Sequence, residues 1–109
     1  MQKNPDGVLL YTTWPGKDVA EACARTLVSE RLAACANILG GALSIYRWQD
    51  TIEQAEEIVM VVKTTRQTAP ECVARIAALH PYDVPVIADV ALGQASGEEF
   101  LQWLNESVK

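Results

Sequence analysis

His80 is the only histidine in the sequence, and it stands in LHPYDVP, directly before Pro81. Two roles are open to an imidazole there. At a helix end its ring bonds a backbone carbonyl while the proline stops the helix, a position the helix dipole also favours. In a cleft it serves instead as a ligand for a soft cation or as a proton carrier. Its natural companion is Cys35 in LAACANI, which falls at the start of an extended segment rather than on a helical stripe. A Cys35 thiolate would join His80 around a metal or act as a nucleophile paired with it. The plainer reading is a small buried residue in a sheet. A catalytic Cys–His pair also needs a group to orient the ring, and Asp83 is the only acid nearby in sequence, which weakens an acyl- or phosphoryl-transfer enzyme.

Other residues carry less specific signals. Cys23 and Cys72 lie on apolar stripes of helical spacing and read as core. The three cysteines include no C-x-x-C pair, so neither zinc nor a redox motif is indicated, and reduced thiols are expected. Lys63 ends an apolar run, and Glu57 shares its strand face at even spacing, so a structural ion pair is expected between them. Tyr46, Trp48 and Tyr82 read as anchors of an interface or as the lining of a cleft between subunits. Trp14 and Trp103 read as packing.

These groups sit in a chain of 109 residues, one domain by length, with 50% hydrophobic and 21% charged residues, an ordinary composition for a folded soluble protein. Fourteen acids against nine bases leave a formal charge of -5 with no basic cluster, which sets nucleic acid aside. No apolar run approaches the roughly 18 to 20 residues of a membrane helix. The polar start MQKNPDG lacks the core of a secretory signal. A cytoplasmic location is expected, with residues 1–6 flexible.

The elements follow from pattern. VLLYTTW before Pro15-Gly16 is a short strand. Residues 17–32 carry Val19, Ala20, Cys23, Ala24, Leu27 and Val28 at helical spacing. Residues 34–49 and 52–65 form a hairpin of two long strands around Asp50, interrupted at Gly40-Gly41, where glycine suits a bulge. Residues 69–80 make a second helix with Pro70 in its first turn. A strand over 86–92 and a helix opened by a Ser96–Glu99 capping box complete the chain. The order β-α-β-β-α-β plus a helix is the split βαβ arrangement of an α+β fold.

The hairpin has a physical consequence. About fifteen residues at roughly 3.3 Å each span about 50 Å, whereas a domain of this size has a radius of gyration of about 13 Å. The ribbon projects from the body with Leu43, Ile45, Tyr46 and Trp48 on it, and needs a covering partner. A homo-oligomer is expected.

SERLAACANI, SIYRWQDTIE, MVVKTT, LHPYDVP and FLQWLNES occur in this order over nearly the whole chain, and together they closely resemble the CutA family of divalent-cation tolerance proteins. The resemblance implies a ferredoxin-like subunit with a long β-hairpin and a C-terminal helix, a tightly interlocked homotrimer, and a role in the response to metal ions. It implies no catalytic reaction and no required cofactor. Copper or another divalent cation, bound at intersubunit clefts near His80 and Cys35, is the ligand class it points to. Some members place a cysteine in the first strand, a His-His pair before Pro-Tyr and a glutamate after the second proline; this chain has Thr12, Leu79-His80 and Val86. The alternative is a small-molecule sensor like the PII signalling trimers, which share the architecture but carry a long loop where this hairpin turns at Asp50.

Overall fold

The structure, a computed structural model, describes residues 6–109. The flexibility expected of residues 1–6 therefore falls outside the described residues except at Asp6. Asp6 is held: the Arg66 amide donates to its carbonyl at 3.0 Å. In chain order the elements are β1 (Gly7–Trp14), α1 (Lys17–Ser29), β2 (Cys35–Trp48), β3 (Thr51–Thr65), α2 (Ala69–Leu79), β4 (Ile87–Ala91) and α3 (Glu98–Ser107). The strands form one antiparallel sheet in the order β2-β3-β1-β4, which is the ferredoxin-like topology.

Strand alternation divides the sheet into two unlike faces. Val8, Leu10 and Thr12 of β1 and Met60, Val62 and Thr64 of β3 are buried on the side that meets the helices. Against them pack Ala20, Cys23 and Leu27 of α1 and Cys72 and Ile76 of α2, the apolar stripes the spacing predicted. The opposite face carries Leu9, Tyr11, Val59, Val61, Leu39 and Val90. Tyr11, Leu39 and Val90 are exposed there, so the second face lacks a covering layer over most of its extent.

At one end of the sheet, α3 docks through Leu101, Leu104 and Val108 against Ala34 and Leu92. Gly7 permits this approach: a Cβ there would sit 2.6 Å from Leu92 Cδ1 and 2.9 Å from Leu104 Cδ2. The chain's last residues are tied to the body as well, since Thr68 Oγ1 donates to the Lys109 carbonyl at 2.7 Å and the Lys109 amide to that of Arg31 at 2.9 Å.

Two local expectations are corrected. Helix α1 ends at Ser29 rather than Leu32, because Arg31 adopts a left-handed φ of 61° and turns the chain. Its guanidinium, donating to the Glu106 carbonyl at 2.9 Å, holds that turn, and Leu32 stays buried without being helical. The Ser96 capping box is not formed; α3 starts at Glu98 behind Gly97, with no side-chain cap.

The hairpin is as long as its sequence demanded. β2 and β3 run 14 and 15 residues, and the molecule measures 52 × 27 × 22 Å. Leu39 faces Val59 and Ala42 faces Glu57, so β2 inserts one extra residue at Gly40-Gly41, where Gly41 takes a φ of 81°. Beyond this bulge the ribbon leaves the body and presents Leu43, Ile45, Trp48 and Ile52 to solvent, with Ile45 and Ile52 66% and 68% exposed. Gln49 and Asp50 close it in a two-residue turn with φ of 50° and 67°, both positive as a type I′ turn requires.

Candidate functional site

The constellation that sequence singled out gathers where β1, α2 and the root of the hairpin meet. α2 ends at Leu79 because Pro81 cannot continue it, and His80, extended at φ -80° and ψ 138°, swings its ring onto β1. The ring stacks on Trp14 with centroids 4.1 Å apart and planes 28° from parallel. Trp14 is fully buried and fixed in turn: its indole N–H donates to Thr12 Oγ1 at 2.6 Å, and that hydroxyl donates to the Met60 carbonyl at 2.8 Å.

Both imidazole nitrogens of His80 are engaged. Nε2 lies 2.7 Å from the Thr13 carbonyl, an acceptor only, so Nε2 carries the proton and donates. Nδ1 accepts from the Tyr82 amide at 3.1 Å. No lone pair is left for a cation unless one of these bonds breaks. The ring's work is to pin the turn after α2 to β1.

That pinning places Tyr82. Its ring lies 4.8 Å from the His80 centroid, and its hydroxyl donates to Glu57 Oε2 at 3.0 Å. Burial, and then the hydrogen bond to the Glu57 carboxylate, hold the Tyr82 phenol above its ordinary range. Glu57 faces Ala42 immediately beyond the bulge. A continuous line therefore runs from buried Trp14 through His80 and Tyr82 to a carboxylate at the base of the arm.

The other expected residues lie elsewhere. Cys35 is half-buried and pairs with Lys63 in the sheet. Lys63 pairs with Leu9 on β1, four residues from Thr13, where His80 docks; four residues of strand are about 13 Å. Cys35 and His80 thus do not meet within one chain. Asp83 is exposed, and the Thr13 carbonyl and Tyr82 amide, not Asp83, orient the ring. The Lys63–Glu57 ion pair is corrected: shared parity put both on one face, but six residues of strand separate them by about 20 Å. Glu57 pairs with Tyr82, while Lys63 Nζ lies 5.8 Å from the Phe100 ring centroid. Tyr46 and Trp48 stand exposed on the arm on the same side as Glu57, opposite Glu53 and Thr51.

A single chain does not assemble a metal centre from these parts. Among the described residues, no group of three or more His, Cys, Asp and Glu side chains is placed to hold an ion. Thr12 is buried with its hydroxyl committed to Met60 and Trp14. Leu79 and Val86 offer no ligand atoms. The two-residue turn at Gln49-Asp50 likewise leaves no long recognition loop of the PII kind between β2 and β3.

Two features gave no sequence signal. Arg75 of α2 makes a bidentate contact with Glu30 at 3.0 and 2.9 Å, closing the seam between α1 and α2. The Tyr82–Glu57 bond joins residues 25 positions apart, and hydrophobic periodicity has no bearing on it.

Comparison with known proteins agrees with this architecture. The profile of the CutA1 divalent ion tolerance protein family matches residues 8–107. The divalent-cation tolerance protein CutA of Thermus thermophilus is 49% identical over 100 residues, covering 91% of this chain and 95% of that protein. Its counterpart from Pyrococcus horikoshii is 39% identical over 94% of this chain and 98% of its own length. Among solved structures, CutA from Xylella fastidiosa superposes with a TM-score of 0.90 at 39% identity, covering 94% of this chain and 98% of that one. The chain belongs to the CutA1 divalent ion tolerance protein family.

Proposed function

We propose that the protein works as a homotrimer in tolerance of divalent cations, without a catalytic reaction, and that any cation it binds is held at seams between copies. One observation carries this reading: the arm and the part of the second sheet face that α3 leaves uncovered present apolar side chains, Ile45, Trp48, Ile52, Leu39 and Tyr11 among them, that a lone subunit leaves in water. Burying apolar surface yields about 25 cal/mol per Å², so copies that cover these faces gain strongly by associating.

Among the described residues no ligand cluster forms within one chain, so a cation site needs the donors that a second copy brings beside the first. Cys35, half-buried at the sheet edge, is the soft donor each copy offers to copper, and Glu57 with Tyr82 is the hard one. His80 acts by holding Tyr82 in place. The free cysteines favour a reducing compartment, the cytoplasm.

Calorimetric titration of the assembled protein with Cu(II), and with Cu(I) under reducing conditions, tests the metal reading. Saturable binding that weakens at least tenfold in Cys35→Ala or Glu57→Gln supports it. Binding equal in wild type and both variants, or none at all, removes these residues from a metal role.

A further inference from the structure

The arm leaves the body at one definable point. β1 flanks β3 only as far as the Trp14–Ile58 pair. From Glu57 outward β3 has β2 as its only neighbour, so residues 42–57 form a ribbon of two strands. Two strands alone in water are marginally stable and free to twist.

The ladder is also interrupted there. The bulge at Gly40-Gly41 falls in β2 between the Leu39–Val59 and Ala42–Glu57 pairs. A Cβ on Gly41 would meet nothing within 4 Å, and one on Gly40 only Ile58 Cδ1 at 3.8 Å, so this backbone bends in open space. A broken ladder, glycine backbone and the loss of the third strand coincide, and together they make a hinge.

One side chain crosses the hinge. Tyr82, on the turn after α2, donates its hydroxyl to Glu57 Oε2 at 3.0 Å, and Glu57 is the first residue of the free ribbon. Among the described residues this is the only side-chain hydrogen bond or ion pair that joins residues 42–57 to the rest of the chain. Its body end is firmly held. The Tyr82 amide donates to His80 Nδ1 at 3.1 Å, and the His80 ring stacks on Trp14, the last β1 residue paired with β3.

We infer that Tyr82 is a latch: its hydroxyl on Glu57 sets the angle of the arm to the body, and Gly40-Gly41 is the hinge about which the arm swings as a unit when that bond opens. The latch lies within one chain and acts with or without a second copy. A latched arm presents exposed Leu43, Ile45 and Trp48 in one pose, and an unlatched arm presents them in many.

The test is hydrogen exchange read by mass spectrometry on the full chain, at a protein concentration where wild type and variants sediment alike. Tyr82→Phe deletes only the hydroxyl. It is expected to speed exchange throughout residues 42–57 about fivefold, the effect of one partly exposed hydrogen bond, with β1 and residues 58–65 unchanged. Glu57→Ala is expected to do the same, and the double variant no more than either single, because the two side chains share one bond. Gly40→Ala, whose methyl fits, stiffens the hinge and is expected to restore part of the protection lost in Tyr82→Phe. Arm exchange unchanged in Tyr82→Phe, exchange raised equally in the body, or single effects that add in the double variant overturn the latch. No recovery with Gly40→Ala overturns the hinge.

Discussion

The imidazole of His80 lies 4.1 Å from the indole of Trp14, nearly parallel to it, with both ring nitrogens bonded to backbone. A residue that invites a catalytic or metal reading from its rarity is thus a structural rivet between α2 and β1. His80→Ala leaves the Thr13 carbonyl, in a buried residue, without its donor and removes a stacked ring. A loss of about 2–4 kcal/mol is expected, measured by denaturant unfolding at fixed protein concentration. A change below about 0.5 kcal/mol contradicts the rivet.

Gly7 lets α3 pack close to the sheet. Gly7→Ala places a methyl 2.6 Å from Leu92 Cδ1 and 2.9 Å from Leu104 Cδ2, so these side-chain ends must repack, and with them the contact of α3 on the sheet. The expected cost is about 1–3 kcal/mol, with hydrogen exchange rising first in α3 and the Lys109 strap. Unchanged protection of α3 contradicts the close approach.

The Glu30–Arg75 contact has a pH signature. The hydrogen bond from the guanidinium, followed by its charge, holds the Glu30 carboxyl below the ordinary value of 4.5. A lowered folded value stabilises the fold fully above the unfolded value and loses that contribution as pH falls through the folded one. Wild type is therefore expected to lose stability below about pH 4.5 more steeply than Glu30→Gln. Parallel curves for the two proteins contradict it. Because both side chains are largely in solvent, the effect is small.

The three thiols are expected to differ in reactivity. Burial pushes Cys23 up to about 11 and Cys72 up to about 12, and both sit in the core, so neither offers a thiolate near neutral pH. Cys35 is half-buried at the sheet edge, outside that core. A thiol-reactive dye on the native protein at pH 8 should leave Cys23 and Cys72 unlabelled until unfolding, with Cys35→Ala removing any native-state labelling. Fast labelling of two or three thiols contradicts the core assignment.

The fold was legible because each element announces itself within a few residues. Val19 to Val28 repeat at helical spacing, VLLYTTW ends on Pro-Gly, and Gly40-Gly41 marks the bulge that the Leu39 and Ala42 register displays. The strand-length estimate read the projecting arm before any contact was known. The candidate site was less legible because it depends on long-range contacts. His80 is bonded to a carbonyl 67 positions away, and local sequence carries no trace of that. Parity placed Lys63 and Glu57 on one face but says nothing of the distance between them. Arg31 ends α1 early through a bond to Glu106, 75 positions distant. Ser96 offered a cap that the chain leaves unused in favour of starting α3 at Glu98.

The proposed assembly covers the arm and the exposed part of the second sheet face, and the mass of the protein in solution tests it most directly. Sedimentation equilibrium of the wild type, diluted from tens of micromolar to below one, is expected to return three times the chain mass of 11.9 kDa throughout. A well-folded species at a single chain mass over that range contradicts the account.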